Sequence, residues 1–288
     1  MAAAMRGAAL VVGLARDCGR HLAGEVRRLS ASLEQFPEVH WLVIESDSDD
    51  DTGAVLESLA ARNERFRYIR LGALRKRLPK RTERIAFCRN RYLEEIRANP
   101  LYRQIEFVLV ADLDGMNSLL TSEAVQSCWK HVDWDVCTAN QRGPYYDVYA
   151  LRHPSWSPDD WRAQYLLLLS RGVQAARAYT ASIYARMRRI AEDSEWMEVD
   201  SAFGGLAIYR KEAMSSGEYV GVAPDGSEQC EHVAFHARLR SEGRRIFINP
   251  ALINAGYTGH WWSVARKRWL LATIGLRATN FLERLSKA

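Results

Sequence analysis

Apolar residues run together at Ala8–Leu14 (AALVVGL), a stretch too short for a helix and bounded by polar residues. Such a run predicts a strand buried on both faces of a sheet. Val39–Ile44 (VHWLVI), Phe66–Leu71 and Glu106–Ala111 (EFVLVA) repeat the pattern. Between them, helical spacing predicts helices over His21–Phe36, Ala54–Asn63 and Arg84–Ala98, the last stopped before Pro100. Strand and helix alternate in the manner of a parallel, nucleotide-binding sheet. After Asp135 the pattern loosens into a stretch rich in Tyr, Trp and Pro, followed by a long helical segment expected over Trp161–Ile190. Short strands are expected at Gly205–Tyr209 and Arg245–Ile248, with a helix near Glu231–Glu242 between them. From Trp261 onward the chain is basic and apolar at helical spacing.

The 288 residues, 48% hydrophobic and 26% charged, suffice for one large α/β domain or one domain with an appendage. No clean boundary is visible. A net charge of +5 suits nucleic acid, an anionic membrane or a phosphorylated small molecule, and selects none of them. No nucleic-acid motif stands out, and none of that partner class is expected. The five cysteines have no CxxC spacing, which argues against zinc and against a disulfide framework, and predicts buried thiols in a reducing, cytoplasmic setting. No run approaches the roughly 18 apolar residues that span a bilayer.

Candidate chemistry gathers behind the strands. Asp112 and Asp114 follow EFVLVA directly, at the carboxyl end of a buried strand, where open α/β sheets bind ligands. Two carboxylates one residue apart can hold Mg2+ or Mn2+ against a diphosphate, or simply form a capped, solvated turn. The acidic run Glu45–Thr52 (ESDSDDDT) follows the second strand. Glu45 and Asp47 are candidates for accepting hydrogen bonds from a base or ribose, and the remaining acids for capping.

The order of these motifs resembles the family 2-like GT-A glycosyltransferases. ESDSDDDT is similar to their D-x-x-S-x-D-x-T segment, VLVADLDG to their DxD strand, and FCRNRYL to the helix bearing an Arg-Asn pair, here Arg89 and Asn90. FGGLAIYRKEAM, with Gly204 and Gly205, resembles the strand before the acceptor region. CEHVAFHARLRSEGRRIFINP resembles the helix that opens with a Glu-Asp pair, and YTGHW places His260 where many relatives carry a histidine on the metal. PYYDVYALR and CEH also resemble the fungal capsule-associated α-1,3-mannosyltransferase-like branch and its bacterial relatives.

The resemblance implies a GT-A fold, with a mixed, mostly parallel central sheet flanked by helices. It implies a catalytic domain over 1–260, split into a nucleotide-binding half (1–135) and an acceptor half (136–260), with a C-terminal helix over 261–288. It also implies Mn2+ or Mg2+ on Asp112, Asp114 and His260, and a GDP- or UDP-linked hexose donor against Ala15, Arg16, Glu45, Asp47, Arg89, Asn90, Asp112, Leu113, Gly204 and Gly205. Glu231 and His232 are the expected catalytic pair. The pattern departs at His232, which stands where inverting relatives carry a general-base Asp. A histidine base and a retaining reaction without a base both remain open, with retention favoured. Tyr146, Asp147 and Arg152 are expected to meet acceptor or sugar, or else to pack an irregular insert. The basic stretch Leu74–Arg84 reads as a solvated loop or a lid over the diphosphate. The acceptor is expected to be a glycan or lipid-linked, with the basic, Trp-bearing C-terminal helix as a peripheral membrane contact or a packed helix. Two rivals stand beside this reading: a sugar-phosphate nucleotidyltransferase and a non-enzymatic nucleic-acid or membrane binder.

Overall fold

The computed structural model describes residues 7–285, with side chains described as far as residue 280. Strands β1 (Ala8–Ala15), β2 (Val39–Glu45), β3 (Phe66–Arg70), β4 (Ile105–Asp112), β5 (Val136–Gln141), β6 (Met197–Glu198), β7 (Leu206–Arg210) and β8 (Ile246–Ala255) form one sheet. Its order is β3-β2-β1-β4-β7-β5-β8-β6. The first four strands in that order are parallel, β7 runs antiparallel between β4 and β5, and β5 pairs parallel with β8. The helices are α1 (Gly19–Ser32), α2 (Thr52–Arg62), α3 (Arg81–Ala98), α4 (Ser122–Gln126), α5 (Trp161–Ser170), α6 (Ala175–Ser182), α7 (Glu231–Ser241) and α8 (Gly259–Leu285). The chain therefore has the expected α/β class, a mixed sheet flanked by helices.

The strand alternation sets the two faces. Leu10, Val12, Leu42, Ile44, Val108 and Val110 pack against Tyr92 and Ile96 of α3 and Phe235 and Leu239 of α7. Their sequence neighbours Val11, Val43 and Leu109 pack on the other face against Leu22, Leu29 and Leu56 of α1 and α2. Covering on both faces is why these strands read as continuous apolar runs. A third cluster joins Tyr146 and Val148 to α6 and α8 through Tyr179, Val264 and Leu271.

Connectivity places the site. From β1 the chain moves outward to β2 and β3, then returns to β4 on the other side of β1. The crevice at the carboxyl ends of β1 and β4 is thus a topological switch point, where open α/β sheets bind ligands.

Four features differ from what the sequence predicts. The helix expected over Trp161–Ile190 is broken into α5, α6 and a short 3-10 turn at Tyr184–Arg186, with Gly172 at φ +78° ending the first piece. Strand β5 was not anticipated, because its Thr138, Asn140 and Gln141 are polar yet fully buried. The expected strand Arg245–Ile248 continues through Pro250 to Ala255. Proline lacks a ladder donor, and the β5–β8 register shifts there. Asn140 Nδ2 donates to the Pro250 carbonyl at 2.9 Å across that irregularity. The expected C-terminal helix begins at Gly259 and turns at Gly275 (φ 76°, ψ 175°), and its residues 286–288 lie outside those described.

Candidate active site

A pocket of about 300 Å³ opens at the carboxyl ends of β1, β2 and β4. Ala15 and Arg16 reach it from β1, Asp47 from the turn after β2, and Asp112, Leu113 and Asp114 from the end of β4. Arg89 enters from α3, Tyr146 and Asp147 from the aromatic insert, and Glu231 and His232 from the first turn of α7. Eleven expected residues, far apart in sequence, therefore meet in one cavity.

The acidic side is built on the loop after β4. The Asp112 amide donates to the Gly205 carbonyl at 2.9 Å, and Asn117 Nδ2 donates to the Asp112 carbonyl at 2.8 Å. Asn117 also donates to the fully buried Glu25 of α1 from both its amide groups. The loop is thereby pinned while the two carboxylates point free: among the described residues neither accepts a hydrogen bond or forms an ion pair. Burial first, then the adjacent Asp114 charge, pushes the Asp112 carboxyl up to about 8. Asp147 is likewise pushed upward by burial, against donors from the Gly204 and Ala150 amides.

The same lining is also basic, carrying Arg16, Arg81 and Arg84. Asp47 lines the pocket too, in the left-handed region at φ 61°. Its Oδ1 accepts from the Arg75 amide at 2.9 Å, while its buried Oδ2 has no hydrogen-bond partner among the described residues. A buried acceptor left open beside a cavity is an arrangement that a ligand N–H completes. The nearest cation, Arg84 Nε, stands 3.8 Å from it.

Other expected residues take different positions. Glu45 does not line the pocket: it accepts from the Ser48 amide at 3.1 Å and pairs with Arg70 at 3.2 Å. Asn90 clamps the Tyr219 backbone, donating at 2.9 Å and accepting at 2.8 Å. Arg152 binds the Tyr149 and Leu151 carbonyls and Asp160. Arg89 is buried and spends its charge on Glu231, Nε to Oε1 at 2.9 Å, with its guanidinium over the rings of Phe203 and Tyr219. His260 is exposed at the start of α8, with its ring 5.8 Å from that of Tyr146.

Gly204 and Gly205, at φ +71° and +84°, act through the backbone. A Cβ on Gly204 would stand 2.7 Å from the Ala139 carbonyl, and one on Gly205 2.6 Å from Met116 Cγ. Gly204→Ala is expected to cost about 2 kcal/mol through the forbidden φ and the backbone clash. Chemical denaturation measures it; a cost near zero would mean the turn is not held as described.

His232 stacks on Phe203 with centroids 4.1 Å apart, and both ring nitrogens are buried without a hydrogen-bond partner among the described residues. Burial, with help from Arg89, holds its imidazole well below the usual range. His236, one turn on, accepts or donates to Ser201 and Tyr209 and is depressed to about 3 by burial. The unfolded chain protonates this ring near 6.5, so between those values it binds more protons than the folded chain. Stability is therefore expected to be full above about pH 6.5 and to drain as pH falls toward 3. Denaturant midpoints across that range in the wild type and His236→Gln test this, the variant having the shallower acid limb.

Arg81 and Arg84, from the basic stretch Leu74–Arg84, also line the cavity, as do Ser46, Tyr149 and Phe203, which were not singled out. Each of these three lies in or beside a quoted motif: Ser46 inside the acidic run, Phe203 immediately before the glycine pair, Tyr149 two residues after Asp147.

No metal is part of the structure, and no group of three or more His, Cys, Asp or Glu among the described residues is arranged to hold one. Asp112 and Asp114 still match a Mg2+ or Mn2+ site of the kind that uses one or two carboxylates, with waters and substrate phosphates supplying the remaining oxygens.

No family model matches the chain, and no curated protein matches its sequence. Solved structures similar in chain path include the mannosyltransferase PcManGT from Pyrobaculum calidifontis with GDP-Man and Mn2+, at 12% identity and TM-score 0.49, over 92% of this chain and 63% of that one. Glucosyl-3-phosphoglycerate synthase from Mycobacterium tuberculosis with UDP is similar at 14% identity and TM-score 0.42, over 87% and 70%. TarS 1–349 of S. aureus with UDP-GlcNAc is similar at 14% identity and TM-score 0.45, over 88% and 60%. The chain spans less than two thirds of the length of the first and third of these.

Proposed function

We propose that this chain is a GT-A-type glycosyltransferase that moves a hexose from a GDP- or UDP-linked donor to a glycan or lipid-linked acceptor, with Mn2+ or Mg2+. The observation that carries it is the pair of unpartnered carboxylates, Asp112 and Asp114, sharing one switch-point pocket with Arg16, Arg81 and Arg84. A diphosphate bridging a cation and these arginines satisfies both groups. Asp47 Oδ2 would accept from the base. A cation on Asp112 and Asp114, its remaining oxygens supplied by water and the substrate phosphates, would neutralise the charge that builds on the departing diphosphate.

Glu231 is held by Arg89 and His232 is buried with depressed basicity, so neither is a free general base. That favours retention. The acceptor oxygen bonds to the sugar's anomeric carbon as the bond to the diphosphate breaks, and the acceptor proton passes to a diphosphate oxygen. Asp147 and Tyr146 would orient the sugar, with mannose the hexose favoured by the PYYDVYALR resemblance and polysaccharide or lipopolysaccharide synthesis the setting.

The nucleotidyltransferase reading wants free amides after β1 to cradle a triphosphate. Here the Cys18 and Gly19 amides donate to Thr52 and Asp50 at 2.9 and 3.1 Å. No helix of the described residues is long and apolar enough to cross a membrane. Exposed Trp269 and Ile274 on α8, with Arg266, Arg268 and Arg277, form the proposed peripheral contact with a cytoplasmic membrane face.

Incubation with UDP-glucose, UDP-GlcNAc and GDP-mannose, each with Mn2+, tests the activity. Release of UDP or GDP from one donor, stopped by EDTA, is the expected result. Conversion of a sugar phosphate and nucleoside triphosphate instead would establish the rival.

A further inference from the structure

A second cavity, about 250 Å³, has Asp114 in its lining. Its walls are the loop after β4 (Asp114, Gly115, Met116, Ser118) and the turn from Ala255 to Gly259 that leads into α8. Asp114 lines both cavities, so the second opens beside the proposed transfer centre. Tyr257 lines it and Trp262 stands beside Tyr257, their rings 6.3 Å apart and each residue 59% exposed, so the protein leaves both in water. They are held in place. Trp261, half-buried between them, has its ring 5.2 Å from Tyr257 and 4.6 Å from Trp262. The Trp261 amide donates to Thr258 Oγ1 at 3.2 Å, fixing how the helix starts.

The chemistry of the walls narrows the occupant. Arg16, Arg81 and Arg84 line the first cavity, whereas no Lys or Arg among the described residues lines the second. A phosphate therefore finds no cation there. The floor is open: a Cβ on Gly259 would meet nothing within 4 Å, and one on Gly256 would meet only Leu119 at 3.6 Å. Exposed aromatic planes, small residues, a serine hydroxyl and one carboxylate together match a neutral, polyhydroxylated ring. Its C–H face covers an aromatic plane while its hydroxyls bond to the polar groups.

We propose that Tyr257 and Trp262, with Ser118 and Asp114, form the acceptor subsite and receive a neutral sugar ring of a glycan chain. This rests on the glycosyltransferase reading and specifies its acceptor as a carbohydrate bound by ring stacking. Donor and acceptor then occupy two cavities that share Asp114.

The test is saturation-transfer NMR on the full chain with Mg2+ and UDP or GDP, using the tetrasaccharides of mannose, glucose, galactose and N-acetylglucosamine as probes. At least one is expected to receive saturation. Tyr257→Ala/Trp262→Ala should weaken that binding about tenfold, equivalent to one stacked ring, while nucleotide affinity changes by less than about twofold. Both side chains are exposed, so the variant should fold. Trp269→Ala, seven residues further along α8 and equally exposed to solvent, should change neither. Retained nucleotide binding with no tetrasaccharide signal, or with a signal the double variant keeps, overturns the subsite alone. So does a loss shared by Trp269→Ala together with binding to anionic vesicles, which would make the rings part of a membrane face. Absence of nucleotide binding in the wild type removes the transferase reading and the subsite with it.

Discussion

Arg89→Ala is expected to destabilise the protein by about 3–5 kcal/mol, because it strands a buried carboxylate. Glu231 and Arg89 are 8% and 6% exposed, and among the described residues the other group paired with Glu231 is His232, whose imidazole burial holds well below the usual range. The variant also removes the bond to the Tyr92 hydroxyl at 3.2 Å and the guanidinium stacking on Phe203 and Tyr219. At roughly 2–4 °C per kcal/mol for a chain of this size class, Tm should fall by about 6–20 °C. Arg89→Met/Glu231→Leu removes both charges together and should recover most of the loss, since a buried pair replaced by apolar side chains is often neutral. Calorimetry on the three proteins reads this directly. A Tm change below about 2 °C for Arg89→Ala would mean that water reaches the pair.

Asp112→Asn is expected to behave in the opposite way. Its carboxyl is pushed up to about 8 by burial and by Asp114, so removing the charge relieves the folded state and the variant should be at least as stable as the wild type. Donor turnover should nevertheless fall by about 10³-fold, several kcal/mol of charge stabilisation at the departing diphosphate. Initial rates of nucleoside diphosphate release, measured beside denaturation midpoints, separate the two effects. A variant that loses stability and activity in parallel would mark Asp112 as a structural turn residue.

The sequence exposed the frame of this molecule because its central strands are covered on both faces. Val11 and Val12, adjacent in sequence, enter different cores, so AALVVGL and EFVLVA read as unbroken apolar runs. Once EFVLVA was a strand, Asp112 and Asp114 had to stand at its carboxyl end, and the cavity is there. Strand β5 was hidden for the opposite reason. Thr138, Asn140 and Gln141 are buried polar groups whose partners lie as many as 113 positions away, and without those partners they resemble a loop.

The same distant bonding reassigned motif residues. Glu45 and Asn90 sit beside the site but turn to Arg70 and to the Tyr219 backbone, contacts that no local pattern signals. Glu25, Asn117, Gln141 and Asn254 form the polar support under Asp112 and Gly204, and nothing in their sequence spacing links them. Arg84 and Phe203 reach the cavity because α3 and the turn before β7 converge on it, which is a fact of tertiary packing.

The most direct measurement of the central claim is calorimetric titration of UDP and of GDP into the wild type with Mn2+, the wild type with EDTA, and Asp112→Asn/Asp114→Asn with Mn2+. Binding of one nucleotide that disappears with EDTA and in the double variant is the predicted result, and it also identifies the donor base. Binding of neither nucleotide, or binding that EDTA and the double variant leave unchanged, would contradict a metal-held diphosphate at Asp112 and Asp114.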